Sequence, residues 1–151
     1  MIQVRFQELR GDLWKAHVSG AVVVITTCGA VSKKGQGLLL RGCARQARER
    51  FPELSSTLGA LIRQHGSQVF EIGERLVSFP VEADPFQVAD LNLIEQSCRQ
   101  LVLLANEEQW QKIVVPRPGC GGGGLAWTEV RPILARHFDE RFIVIHQEGD
   151  Q

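Results

Sequence analysis

The sequence predicts a three-layer α/β/α domain around a mixed, largely parallel sheet, and three observations carry that expectation. Ala21 to Ile25 (AVVVI) and Ile113 to Val115 are continuously apolar and β-branched, the pattern of strands covered on both faces. Strand-like and helix-like segments mostly alternate along the chain, which places helices on both sides of a sheet. Two glycine-bearing loops, Cys28 to Gly42 and Gly119 to Gly124, each lie between a strand end and a helix. Ligands of such sheets sit outside the carboxyl ends of the strands, so both loops are expected to line one cleft.

In chain order, the apolar alternation at Ile2, Val4 and Phe6 predicts a half-buried edge strand. Gly11-Asp12-Leu13-Trp14 reads as a turn, and the Ala21 strand ends at Thr26-Thr27-Cys28-Gly29. Cys43, Ala47 and Phe51 recur at helical spacing until Pro52 closes that helix. Leu54, Leu58, Leu61 and Ile62 mark another helix, stopped by Gly66. Gln68 to Ile72 and Arg75 to Val81 form a hairpin through Gly73-Glu74.

A long helix then runs to about Ala105, with Asp84-Pro85 and Asp90 as competing start signals and Val88, Leu91, Ile94, Cys98, Leu101, Val102 and Ala105 as its buried stripe. Pro116 and Pro118 end the Ile113 strand. Thr128 caps a helix to about Phe138, with Pro132 in its first turn, and Arg141 to Ile145 supplies the last strand.

The 151 residues fit a single domain, 1–151, able to bury a core without staples. Its 17 basic and 17 acidic residues cancel, which argues against a bulk electrostatic grip on nucleic acid or an anionic membrane. Any anion must then be met by local backbone geometry. Cys28, Cys43, Cys98 and Cys120 show no CxxC pair and no zinc-ligand spacing, so no metal is expected and the thiols read as reduced, in a cytoplasmic protein. The amino terminus has neither a signal peptide nor a membrane span.

Five of the six residues from Gly119 to Gly124 are glycine, an entropic cost that an ordinary connection does not need. Glycine lets successive N–H groups point into one concavity, and the helix beginning just afterwards adds the positive end of its dipole. That combination predicts an anion site. The run satisfies G-x-G-x-x-G cheaply, but the short stretch after Gly124 leaves no room for a second nucleotide-binding half. No G-K-[ST] follows either loop, which excludes a P-loop.

Gly11-Asp12-Leu13-Trp14, Thr26-Thr27-x-Gly29, the Gly35-to-Ala44 loop with Arg41-Gly42, and Pro116-Arg117-Pro118-Gly119-Cys120-Gly-Gly-Gly-Gly-Leu125-Ala126-Trp127 together resemble a macrodomain. The resemblance is to the compact bacterial and phage branch labelled ADP-ribose-1''-phosphate-processing, and it spans nearly the whole chain. It implies a cleft for ADP-ribose at the top of a mixed sheet, with ADP-ribose as ligand rather than a bound cofactor. It places Asp12 against the adenine amino group and the loops Gly35, Gly37, Gly42 and Gly119, Gly121, Gly122, Gly123, Gly124 around the diphosphate and distal ribose. Thr27 and Cys28 belong to the strand end beside that ribose, and Leu13, Leu125 and Trp127 form apolar walls, core packing being the other role open to Trp127. His146 is the candidate contact for adenine after the last strand.

Departures from that family bear on activity. Cys28 stands where many catalytic macrodomains have Asn, and a thiol is a poor hydrogen-bond partner for a ribose hydroxyl. Leu40 replaces a glycine and narrows close backbone approach, while Lys34 removes a carboxylate. Cys120 has no paired His to make it a nucleophile, and Arg41 and Arg117 either supplement the phosphate site or stay solvated. No catalytic base is identified. The favoured expectation is recognition of free ADP-ribose or of ADP-ribosylated protein or nucleic acid. The alternatives are a hydrolase that removes ADP-ribose, a phosphatase acting on ADP-ribose 1''-phosphate, and a different nucleotide-phosphate binder of α/β class.

Overall fold

The computed structural model describes residues 3–146. Its strands are β1 (Gln7–Arg10), β2 (Val22–Cys28), β3 (Glu71–Gly73), β4 (Leu76–Glu82), β5 (Ile113–Pro116) and β6 (Phe142–His146). Its helices are α1 (Leu13–Val18), α2 (Gly42–Arg50), α3 (Leu54–His65), α4 (Leu91–Glu108) and α5 (Trp127–Ala135). The strands form one six-stranded sheet in the order β1-β6-β5-β2-β4-β3. Neighbours pair in parallel except β3, which runs antiparallel to β4 as the hairpin reading predicts. The sheet is therefore mixed and largely parallel.

The parity of β2 divides the core in two. Val22 and Val24 pack with α4 and α5, whereas Val23 and Ile25 pack with α1, α2 and α3 on the opposite face. Burying each such side chain contributes on the order of 1.5–3 kcal/mol, so the unbroken apolar run from Val22 to Ile25 fixes β2 in the middle of the sheet. Its neighbours β5 and β4 show the same two-sided burial. No helix among the described residues is long and apolar enough to cross a membrane.

Several boundaries differ from expectation, each for a local reason. The first strand is Gln7–Arg10, not Ile2 to Phe6, and all four residues are exposed. Phe6 is instead buried against Phe138, at 6.4 Å between ring centroids, while the following polar residues pair with β6. Ile2 lies outside the described residues. The Gly11-to-Trp14 segment is the entry to a six-residue helix rather than a turn alone, with the Asp12 carboxylate accepting from the Trp14 and Lys15 amides at 2.7 and 3.2 Å.

The first central strand continues through Cys28. Asp90 wins as the cap of α4, and Val88 is exposed, outside the helix and its buried stripe. Helix α5 starts at Trp127 because Glu129 folds back to accept from the Ala126 amide, so Pro132 sits inside the helix rather than in its first turn.

Candidate functional site

Because β1, β6, β5, β2 and β4 are mutually parallel along the sheet, their carboxyl ends share one rim. A cleft of about 980 Å³, its open mouth included, lies over the ends of β2, β4 and β5. Thr27 and Cys28 from β2, Glu82 from β4 and Pro116 from β5 form the base. One wall is Leu38 and Leu40 to Ala44, and the other is Arg117 and Gly119 to Gly123.

Backbone donors face this space from two directions. Gly42, Cys43 and Ala44 are the first turn of α2, and Arg41 at its N-cap makes no side-chain cap, so the turn's amide groups are left for a ligand or water. Across the cleft, the Gly121, Gly122 and Gly123 amides donate to no protein acceptor among the described residues. The loop carrying them is held by Leu125 N–H to Gly119 O at 2.9 Å and Ala89 N–H to Gly123 O at 2.9 Å. Gly123 has to be glycine, since a Cβ there would lie 2.6 Å from the Gly119 carbonyl oxygen.

The helix dipole at the cleft is therefore that of α2, not of the helix following the glycine run. No residue of α5 lines the cleft, and Glu129 already occupies the N-terminal end of α5.

Only half of the first glycine loop reaches the cleft. Gly35 takes φ +83° in a turn closed by its own amide on Ser32 O at 2.9 Å, and Gly37 is buried against Leu58. These two glycines let the loop lie flat on α3 and do not line the cleft, whereas Leu40, Arg41 and Gly42 do. Leu13 is fully buried in the core under α1 and forms no wall. Leu125 packs half-buried on the α4 and α5 side, and Gly124, at φ +81°, turns the chain toward it. Neither lines the cleft. Trp127 is likewise occupied: its Nε1 donates to Glu8 at 3.2 Å and the Arg117 guanidinium stacks over its ring at 4.8 Å.

Asp12 opens on a separate hollow with Arg10, Gly11, Lys15, Gln46 and Arg50, so the cleft does not itself extend to it. The two hollows nonetheless share the rim. His146 ends β6 and its carbonyl accepts from the Gly11 amide at 3.2 Å, which holds the exit from β1 against β6. From β1 to β2 the sheet takes three inter-strand steps, about 14 Å at the usual spacing. Asp12 and Cys28 thus lie at two ends of one rim, three strands apart.

Glu82 is the feature that reading the glycine loops alone missed. It is 7% exposed at the carboxyl end of β4, and one carboxylate oxygen meets the Arg41 guanidinium at 3.2 Å. Arg41 also donates to Pro85 O at 2.7 Å and to Gly122 O at 3.4 Å, tying the two walls to the base. Burial pushes the Glu82 carboxyl above the usual range, Arg41 offsets part of that, and Asp84 adds to the rise. The signal was available, because a lone acidic residue ends an apolar strand at the rim where ligands collect.

The thiols are quiet. Burial pushes Cys28 and Cys43 up, which keeps both protonated. Cys28 Sγ is turned toward Leu38 O at 3.6 Å, and Cys120 Sγ, in the cleft wall, toward Pro118 O at 3.5 Å.

No protein-family model matches the chain. A DNA ADP-ribosyl transferase–DNA ADP-ribosyl glycohydrolase fusion protein of Thermosipho africanus is 21% identical over 154 residues, covering 85% of this chain and 38% of the relative. The chain thus spans well under half the length of that curated relative. Among solved structures, the macrodomain of Mycobacterium tuberculosis DarG superposes with a TM-score of 0.77 at 21% identity, covering 95% of this chain and 98% of that one. Thermosipho africanus DarTG in complex with ADP-ribose gives a TM-score of 0.78 at 16% identity, covering 99% of this chain and 43% of that one. The macrodomain of Thermus aquaticus DarG gives 0.75 at 21% identity, covering 93% and 97%.

Proposed function

We propose, from the macrodomain fold shared with these structures, that the chain is a receptor for ADP-ribose, free or attached to a macromolecule. One observation carries the reading: the uncapped first turn of α2 faces the Gly121-to-Gly123 amides across a single cleft. Opposed main-chain donors suit a diphosphate in a protein of zero formal charge. The rim from Asp12 to Cys28 then takes the adenine at one end and the distal ribose at the other. Titration calorimetry tests it. ADP-ribose binds more tightly than ADP, AMP or NAD, and equal affinity for ADP and ADP-ribose removes the distal ribose from the reading.

A second reading, removal of ADP-ribose from modified DNA, draws on the printed name of the fusion relative and on the carboxylate of Glu82 in the cleft. Incubation with ADP-ribosylated DNA and, separately, ADP-ribosylated protein distinguishes the two readings. Release of ADP-ribose that a cleft substitution abolishes makes the protein a hydrolase, and retention of intact modified DNA makes it a receptor.

A further inference from the structure

We propose that Glu82 reads the terminal sugar: its unbonded carboxylate oxygen accepts ribose hydroxyls, and its charge turns away a ligand whose sugar ends in phosphate. The inference rests on the ADP-ribose reading and narrows it to the hydroxylated, non-phosphorylated form.

The two oxygens of Glu82 differ. Oε1 is engaged by Arg41, while Oε2 is buried and has no hydrogen-bond partner among the described residues. A buried acceptor left without a donor is unfavourable; Glu82 lines the base of the cleft, and a small turn of its carboxylate would bring Oε2 to a donor on a ligand. A hydroxyl does so; a phosphate oxygen only accepts and carries like charge.

The surroundings favour the same distinction. Thr27, Cys28 and Leu40 bring no cation to this part of the cleft. Arg41 is already committed to Glu82, Pro85 O and Gly122 O. Asp84 adds a second carboxylate, near enough to raise both Glu82 and the Cys28 thiol. The cleft is thus polarised, with amide donors along its walls and an acceptor at the β4 end. A diphosphate lies against the former and a polyhydroxyl sugar against the latter.

The test is calorimetry of ADP, ADP-ribose and ADP-ribose 1''-phosphate with the wild type and with Glu82→Gln. The wild type binds ADP-ribose at least about tenfold more tightly than its 1''-phosphate, the scale of one hydrogen bond to a charged group. In the variant Arg41 still holds the amide oxygen, so an N–H donor replaces Oε2 in an unchanged shape. ADP-ribose then weakens about tenfold, the 1''-phosphate gains relative to it, and ADP is unaffected.

Equal ADP-ribose affinity for variant and wild type overturns the inference and leaves the receptor reading standing. Wild-type preference for the 1''-phosphate overturns it too, whether or not the variant folds. A wild type that binds no ADP-ribose removes both readings.

Discussion

Gly59, in the middle of α3, lies so close to Gly35 that a Cβ placed on it would stand 1.9 Å from the Gly35 carbonyl oxygen. That contact seats the Gly35 turn on the helix, and through Leu38 to Gly42 it sets the position of one wall of the cleft. Intrinsic propensity favours Gly59→Ala in a helix by about 1 kcal/mol. Overlap with backbone that cannot yield costs about 1–3 kcal/mol or more and wins. The variant is expected to be less stable by urea denaturation and to bind ADP-ribose more weakly. A gain in stability would show that the loop does not rest on α3.

Gly121 and Gly123 offer a contrast within one loop. A Cβ on Gly121 meets nothing within 4 Å, whereas one on Gly123 meets the Gly119 carbonyl oxygen at 2.6 Å and Ala89 Cβ at 3.0 Å. Gly121→Ala should melt like the wild type. Gly123→Ala should lose about 1–3 kcal/mol and displace the neighbouring amides, with a fall in ADP-ribose affinity. Equal melting temperatures for the two variants would contradict the loop geometry.

Asp12 has two roles that a single alanine substitution confounds. Its carboxylate caps α1, so Asp12→Ala is expected to lower stability by about 1 kcal/mol apart from any ligand. Asp12→Asn keeps a capping oxygen and should unfold near the wild type. Its amide N–H₂ faces outward where an acceptor stood, so affinity for ADP-ribose falls while inorganic pyrophosphate is unaffected. Stability loss in the asparagine variant as large as in the alanine variant would deny the cap.

The pH dependence of stability separates two kinds of carboxylate. Glu8 is held below the ordinary carboxylate range chiefly by the hydrogen bond from Arg131, and Glu95 chiefly by that from Arg136. Depressed groups contribute stability that is present above the unfolded value and lost as pH falls through the folded one. The melting temperature should therefore drop below about pH 4.5. Arg131→Gln and Arg136→Gln should each flatten that drop.

Glu82 has the opposite sign. Burial raises its carboxyl, so its contribution is present below the unfolded value and declines as pH rises through the folded one. Relative to the wild type, Glu82→Gln should gain stability as pH rises above the ordinary carboxylate range, read by thermal melts at a series of pH values.

What the residues revealed in advance follows from how each is buried. β2 and β5 lie inside the sheet with helices on both faces, so their Val22-to-Ile25 and Ile113-to-Val115 runs had to be continuously apolar and were legible. β1 has all four side chains exposed, so no hydrophobic period marks it, and the Val4 and Phe6 alternation belongs to packing beneath α5. α1 has six residues, too few for a helical stripe, and only the Asp12 cap announces it.

At the site, glycine content pointed to Gly121, Gly122 and Gly123, which line the cleft, but could not separate backbone that lines a cleft from backbone pressed on a helix, which is the role of Gly35 and Gly37. Glu82 was passed over because a single acidic residue at a strand end has no pattern of its own. Its meaning appears only once β4 is seen beside β2 and Arg41 reaches it from another loop.

The start of α2 has no side-chain cap, which couples any anion bound there to the helix. On the ADP-ribose reading, an arriving oxyanion accepts from the first-turn amides that Arg41 leaves uncapped. Affinity and the rigidity of α2 are thus one free energy seen from two sides.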